Sequence, residues 1–141
     1  MANEAVIVEL AGQPKGVPIS FTCADNQTLE KGALLSFVDD ATLSGGSVQP
    51  ASNGRPFAGI AATEKVANDG QTTLGVWTKG VFDLTCSTDA VPVGSLVEIS
   101  GANLIRAPRT TVASLSGGAI VGKALEAGSS GEVIKVAVGI Y

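Results

Sequence analysis

The chain says nearly the same thing twice, and that repetition limits what it can fold into. Lys31-Gly32-Ala33-Leu34-Leu35 returns 62 residues later as Val93-Gly94-Ser95-Leu96-Val97. Phe57-Ala58-Gly59-Ile60-Ala61 returns 63 residues later as Ile120-Val121-Gly122-Lys123-Ala124. Asp69-Gly70 followed by Thr72-Thr73-Leu74-Gly75-Val76 returns 61 residues later as Ser130-Gly131 followed by Val133-Ile134-Lys135-Val136. Three landmarks in one order at one spacing mark a duplicated structural unit. Each unit reads as a Gly turn, an apolar strand, a polar loop, and an apolar run that turns through Gly into a hairpin. A unit of about 60 residues buries too little surface to be secure alone, so the two are expected to share a core.

Composition agrees with a β-rich domain. Eighteen Gly among many Val, Ile and Thr point to short strands joined by tight turns. Apolar residues make up 45% of the 141 and charged residues 16%, which excludes a disordered chain and leaves apolar surface for a partner. The net charge is −4 with no run of Lys or Arg, so a phosphate backbone is not an expected ligand. No apolar stretch approaches the ~20 residues of a membrane helix. Met1-Ala2-Asn3-Glu4 lacks a basic leader, and synthesis in the host cytoplasm is the expectation.

Along the chain, residues 1–17 stand outside the repeat as an extended N-terminal arm. Its apolar part, Glu4, Ala5, Val6, Ile7, Val8, Glu9 and Leu10, is strand-like, and Gly12-Gln13-Pro14-Lys15-Gly16 is a connector. Such a strand suits the edge of a neighbouring subunit's sheet or of its own, and both readings stand. The duplicated β domain spans residues 18–141, with units at about 18–85 and 86–141. Strands are expected at residues 18–23, 33–38, 57–65, 72–78 and 80–85, then at 96–100, 103–107, 120–126 and 132–141. Asn68-Asp69-Gly70 is a hairpin signal because these residues tolerate positive φ. Thr78-Lys79-Gly80 reads as a second reversal, Ser44 to Ser47 and Pro50 to Gly54 as turns, and residues 110–115 as at most one helical turn. The fold class is all-β, a small barrel or sandwich built from two similar units.

Catalytic and metal chemistry find little footing. Histidine is absent, which removes the commonest general base and metal ligand. There is no nucleophile elbow, phosphate loop or dinucleotide fingerprint. Asp39-Asp40 has no second acidic cluster near it in sequence, and calcium wants six or more oxygens. Glu64, Lys65, Asp69 and Lys79 scatter around one hairpin and read as solubilising charges. Trp77, the only tryptophan, sits in an alternating strand and reads as core or subunit interface. Cys23 and Cys86 occupy equivalent places in the two units. A disulfide or a metal pair across a pseudo-twofold axis is conceivable, but in a cytoplasmic product two small buried hydrophobes are expected. No catalytic, cofactor-binding or metal residue is assigned.

The order of motifs resembles a family of small capsid decoration (cement) proteins of tailed double-stranded DNA viruses. Pro18-Ile19-Ser20-Phe21-Thr22-Cys23-Ala24-Asp25 and Leu29-Glu30-Lys31-Gly32-Ala33-Leu34-Leu35 open the resemblance. Phe57-Ala58-Gly59-Ile60-Ala61, Glu64-Lys65, Gly80-Val81-Phe82-Asp83, Val93-Gly94-Ser95-Leu96-Val97 and Val121-Gly122-Lys123-Ala124-Leu125-Glu126 continue it, over roughly residues 17–141. The resemblance implies a non-enzymatic homotrimer on the outer surface of an icosahedral head. Its partners would be the major capsid protein and its own copies, with no cofactor, nucleic acid or membrane. It would clamp capsid subunits against the pressure of packaged DNA, and the arm from Glu4 to Leu10 would reach onto the shell or a neighbour. The competing classes are another virion subunit, such as a tail tube or head fibre, and a small carbohydrate-binding β module. The module would need exposed aromatics, which are only 4% of the chain.

Overall fold

A computed structural model of the chain describes residues 3–9, 18–38, 47–53, 55–108 and 118–139. These hold eleven strands and no helix: β1 (Val6–Glu9), β2 (Ile19–Cys23), β3 (Leu34–Val38), β4 (Ser47–Pro50), β5 (Phe57–Ala61), β6 (Thr73–Trp77), β7 (Gly80–Cys86), β8 (Leu96–Ile99), β9 (Leu104–Arg106), β10 (Ile120–Ala124) and β11 (Val133–Val138). The duplication becomes two closed five-stranded barrels of the same topology. The first runs β2-β4-β3-β5-β6 and the second β7-β9-β8-β10-β11. Each closes through one short parallel pairing, Thr22↔Ser47 and Cys23↔Val48 in the first, Thr85↔Leu104 and Cys86↔Ile105 in the second. Closure removes the exposed ladder edges that an open sheet of this size would carry.

Alternation along the strands fills each barrel. In β6, Leu74 and Val76 are buried, and their equivalents in β11 are Ile134 and Val136. Cys23, Leu29, Leu35, Val48 and Ala61 of the first core correspond to Cys86, Val91, Val97, Ile105 and Ala124 of the second. The repeated glycines have a steric reason. A Cβ on Gly59 would lie 2.6 Å from Trp77 O, and one on the equivalent Gly122 would lie 2.1 Å from Ala137 O. The adjoining ladders shift register beside both positions.

Three features depart from the sequence reading. Ser47-Val48-Gln49-Pro50, read there as turn material, is β4, with Val48 fully in the core. A proline is tolerated because it ends the strand. Thr78-Lys79 does not close a hairpin. β6 pairs with β2 and β5, whereas β7 pairs with β1, β9 and β11, so the chain crosses there from one barrel to the next. By its hydrogen bonding β7 thus opens the second barrel instead of ending the first. The expected helical turn at 110–115, Asp39-Asp40 and the Gly12–Gly16 connector lie outside the described residues.

The barrels meet along an apolar seam. Leu35 and Ala61 point into the first barrel, so Leu34 and Ile60, their chain neighbours, point out of it. Both join the cluster of the second barrel with Phe82, Val97 and Val121, and Phe57 and Trp77 lie against it. Two hydrogen bonds cross the seam: Leu34 N donates to Asn103 Oδ1 at 3.0 Å, and Phe57 N donates to Gly118 O at 2.8 Å. β5 lies against β10, its own equivalent, as an approximate twofold relation requires.

We expect Gly122→Ala to destabilise the protein by about 3 kcal/mol, since the new methyl meets backbone that cannot move alone. Chemical denaturation reads this out. A loss below about 1 kcal/mol would show that β10 and β11 can separate without cost.

Candidate interaction surface

The arm is built onto the seam. β1 pairs antiparallel with β7 of its own chain, with Val6↔Asp83, Ile7↔Phe82 and Glu9↔Val81 in register. One residue earlier, Ala5 N donates to Gly32 O at 2.6 Å in the first barrel. The arm therefore straps both barrels. Gly32 permits the crossing: its φ is +86°, and a Cβ there would sit 2.6 Å from Ala5 O. Ala5 and Ile7 pack against the seam cluster, while Val6 is 59% exposed. Lys31, Gly32, Glu64 and Trp77 form an open cleft along Ala5, Val6 and Ile7. The Trp77 ring lies 6.0 Å from that of Phe82. Hydrogen bonding to the Glu30 side chain holds the Glu4 carboxyl below its ordinary range. Of the arm residues singled out by sequence, Glu4 to Ile7 are thus placed, Val8 and Glu9 belong to β1, and Leu10 lies outside the described residues.

Sequence reasoning missed Lys65. Read as a solubilising charge, it is only 2% exposed. Its backbone bridges to Leu29, and its ammonium donates to Asp25 O at 2.7 Å, Asp69 Oδ1 at 3.0 Å and Val66 O at 3.2 Å. Asp69 in turn accepts from the amides of Gln71 and Val66, and Asp25 Oδ1 accepts from Gly70 N. The network pins the β5–β6 hairpin to the loop after β2. The clue was in the repeat. The bridge Leu29↔Lys65 has as its counterpart Val91↔Gly128, where a Cβ would meet Ile134 and Cys86. A position closed by core on one side is buried on the other.

Burial pushes the Lys65 pKa down, but the hydrogen bond and charge of Asp69, then those of Asp25, reverse this and leave it raised. The Asp69 carboxyl is lowered, chiefly by the Gln71 amide and then by Lys65. Cys23 and Cys86 are free thiols buried in separate cores, and burial raises both. That suits small core hydrophobes and not reactive groups. Among the described residues no group of three or more Cys, Asp or Glu is placed to hold a metal ion. No helix among them is long and apolar enough to cross a membrane. Arg106 Nε donates to Glu98 Oε1 at 2.8 Å across the β8–β9 pair, an ion pair that fixes register.

What remains at the surface is structural: a paired barrel, a strapped arm, and isolated apolar side chains at Val6, Ile19, Val66, Val93, Leu125 and Val133. A scaffold with this equipment belongs to the class of structural and assembly proteins. The chain matches the phage cement protein family over residues 13–140, and it belongs to that family. Comparison with curated proteins returns no match.

The linkage between Asp69 and Lys65 has a definite sign. Asp69 has a folded pKa below its unfolded one, so its contribution is complete above about pH 4 and is lost as pH falls through the lowered value. Lys65 has a raised folded pKa, so its contribution is complete below about pH 10 and is lost as pH rises through that value. Thermal melts between pH 2 and 7 should show the Tm of Asp69→Asn falling less steeply below about pH 4 than that of the parent. Equal slopes would remove Asp69 from the acid-sensitive groups.

Proposed function

We propose that this protein decorates the outer surface of an icosahedral tailed-phage head, as a trimer bound to the major capsid protein, and holds the shell against internal DNA pressure. The family match over residues 13–140 carries this reading. Physical features support it. Two closed barrels joined by a buried seam make a stiff body that resists deformation when neighbouring capsid subunits pull on it. Weak contacts suffice, because a trimer engages several sites on the lattice at once. The net charge of −4 gives no attraction to packaged DNA. The protein has no catalytic task in this role, and its place is on the virion after synthesis in the host cytoplasm.

The arm is the segment we assign to contact with the shell or a neighbouring copy. Glu4, Ala5, Val6, Ile7, Val8, Glu9 and Leu10 make up this segment, and β1 is the terminal strand of its sheet, leaving one ladder edge outward beside the exposed Val6. An outward strand edge is a ready template for a partner strand.

Cryo-EM of expanded shells mixed with the purified protein tests the reading. Trimer density at threefold and quasi-threefold positions is the expected result, and bare positions at saturating protein would overturn it. Val6→Asp should weaken shell binding at least tenfold with an unchanged Tm. Deletion of residues 2–10 should weaken it too, with a lower Tm, since Ala5 and Ile7 leave the seam. Full binding by Val6→Asp would remove the arm from the contact.

A further inference from the structure

The two barrels are equivalent strand for strand, but only one carries an added strand. β1 covers the edge of β7 at Val81, Phe82 and Asp83. The equivalent edge of β2 is Pro18, Ile19 and Ser20, because Ile19 pairs with Val76 as Phe82 pairs with Val136. Among the described residues no strand pairs with that edge. The side chains report the same difference. Phe82, under the arm, is 0% exposed, and Ile19 is 51% exposed. The second contact of the arm is missing in parallel. A Cβ at Gly32 would strike Ala5, whereas around Gly94 there is nothing within 4 Å.

We propose that the free edge of β2 is a second strand-docking site, filled on the virion by an extended segment of the shell protein running antiparallel to β2. The inference rests on the cement reading and names the part of the partner that this edge takes. Strand addition of this kind draws affinity from backbone hydrogen bonds and selectivity from alternate side chains. The approximate twofold, seen in β5 against β10, brings Val93, Gly94 and Ala127 to this site where Lys31, Gly32 and Glu64 flank the arm. The wall is therefore apolar and uncharged. It matches a segment with apolar residues at alternate positions and no flanking carboxylates.

That chemistry selects against the arm of a second copy. β1 is bracketed by Glu4 and Glu9, and Val93 stands where Lys31 lies beside the arm's own cleft. A donated β1 would also have to leave β7 and uncover Phe82 and the seam. A shell segment has neither cost.

The test is Ile19→Asp, with Val66→Asp as a control at another exposed apolar site. Both are measured by co-sedimentation with expanded shells, with Tm and sedimentation velocity on each variant alone. Wild-type binding at nanomolar to micromolar protein is the reference, and its absence would overturn the cement reading itself. Given binding, the inference expects Ile19→Asp to bind at least tenfold more weakly with unchanged Tm and oligomeric state, and Val66→Asp to bind as the parent does. Hydrogen exchange on the bound parent should show new protection at the amides of Ile19 and Ser20. Binding by Ile19→Asp within twofold of the parent, without new protection there, would overturn the inference and leave the cement reading standing. A changed oligomeric state in Ile19→Asp alone would assign the edge to a second copy and equally overturn it.

Discussion

Leu34 and Ile60 are the hinge of the architecture. Each sits on a strand whose neighbouring residue fills the first barrel, yet each is itself buried in the cluster of the second. Burial of such side chains contributes about 1.5–3 kcal/mol each, a large share of the stability expected of a domain this size. Half of the chain would make a barrel too small to be secure, and the outward apolar pair would then face water. The seam turns two marginal units into one body. The Asn103 amide side chain completes it by accepting from Leu34 N, and a φ of 56° at Asn103 aims that side chain across the junction.

The arm depends on the seam in turn. It lies where the two barrels adjoin, taking one hydrogen bond from Gly32 in the first and a ladder from β7 in the second. This arrangement breaks the symmetry of the duplication. The same barrel appears twice, but one copy wears a strand, its Phe82 dry, and the other presents Ile19 to solvent. The asymmetry extends to the barrel ends. Lys65 closes one with an ammonium held by Asp25 and Asp69, while Gly128 lets Ile134 and Cys86 close the other with apolar atoms.

The architecture was legible because duplication leaves landmarks that sterics enforce. Gly59 and Gly122 recur because neither tolerates a Cβ beside a neighbouring carbonyl, and Leu74-Gly75-Val76 and Ile134-Lys135-Val136 recur because alternation fills a barrel. β4 was not legible: four residues with Ser, Gln and Pro carry a turn composition, and only pairing with β2 and β3 makes them a strand. The crossing at Thr78-Lys79 was hidden for a related reason, since two adjacent strands normally pair and here each finds partners elsewhere. Lys65 was misread because a charged residue near a hairpin is exposed in most proteins, and its burial depends on two carboxylates, one of them 40 residues away in sequence. The arm was seen as a strand, but its partner β7 lay beyond any local pattern.

The pairing of β1 with β7 also sets an order of events during synthesis. The arm leaves the ribosome first, yet its partner strand starts at Gly80, more than seventy residues later. At about 5–20 residues per second, the nascent arm waits for several seconds without the edge it finally occupies. All strands of the first barrel are made within that interval. The arm is thus the last piece to be fastened although it is the first to be made. Between copies translated side by side, the choice of whose β7 it joins is settled by which edge is finished and near when the arm is still free.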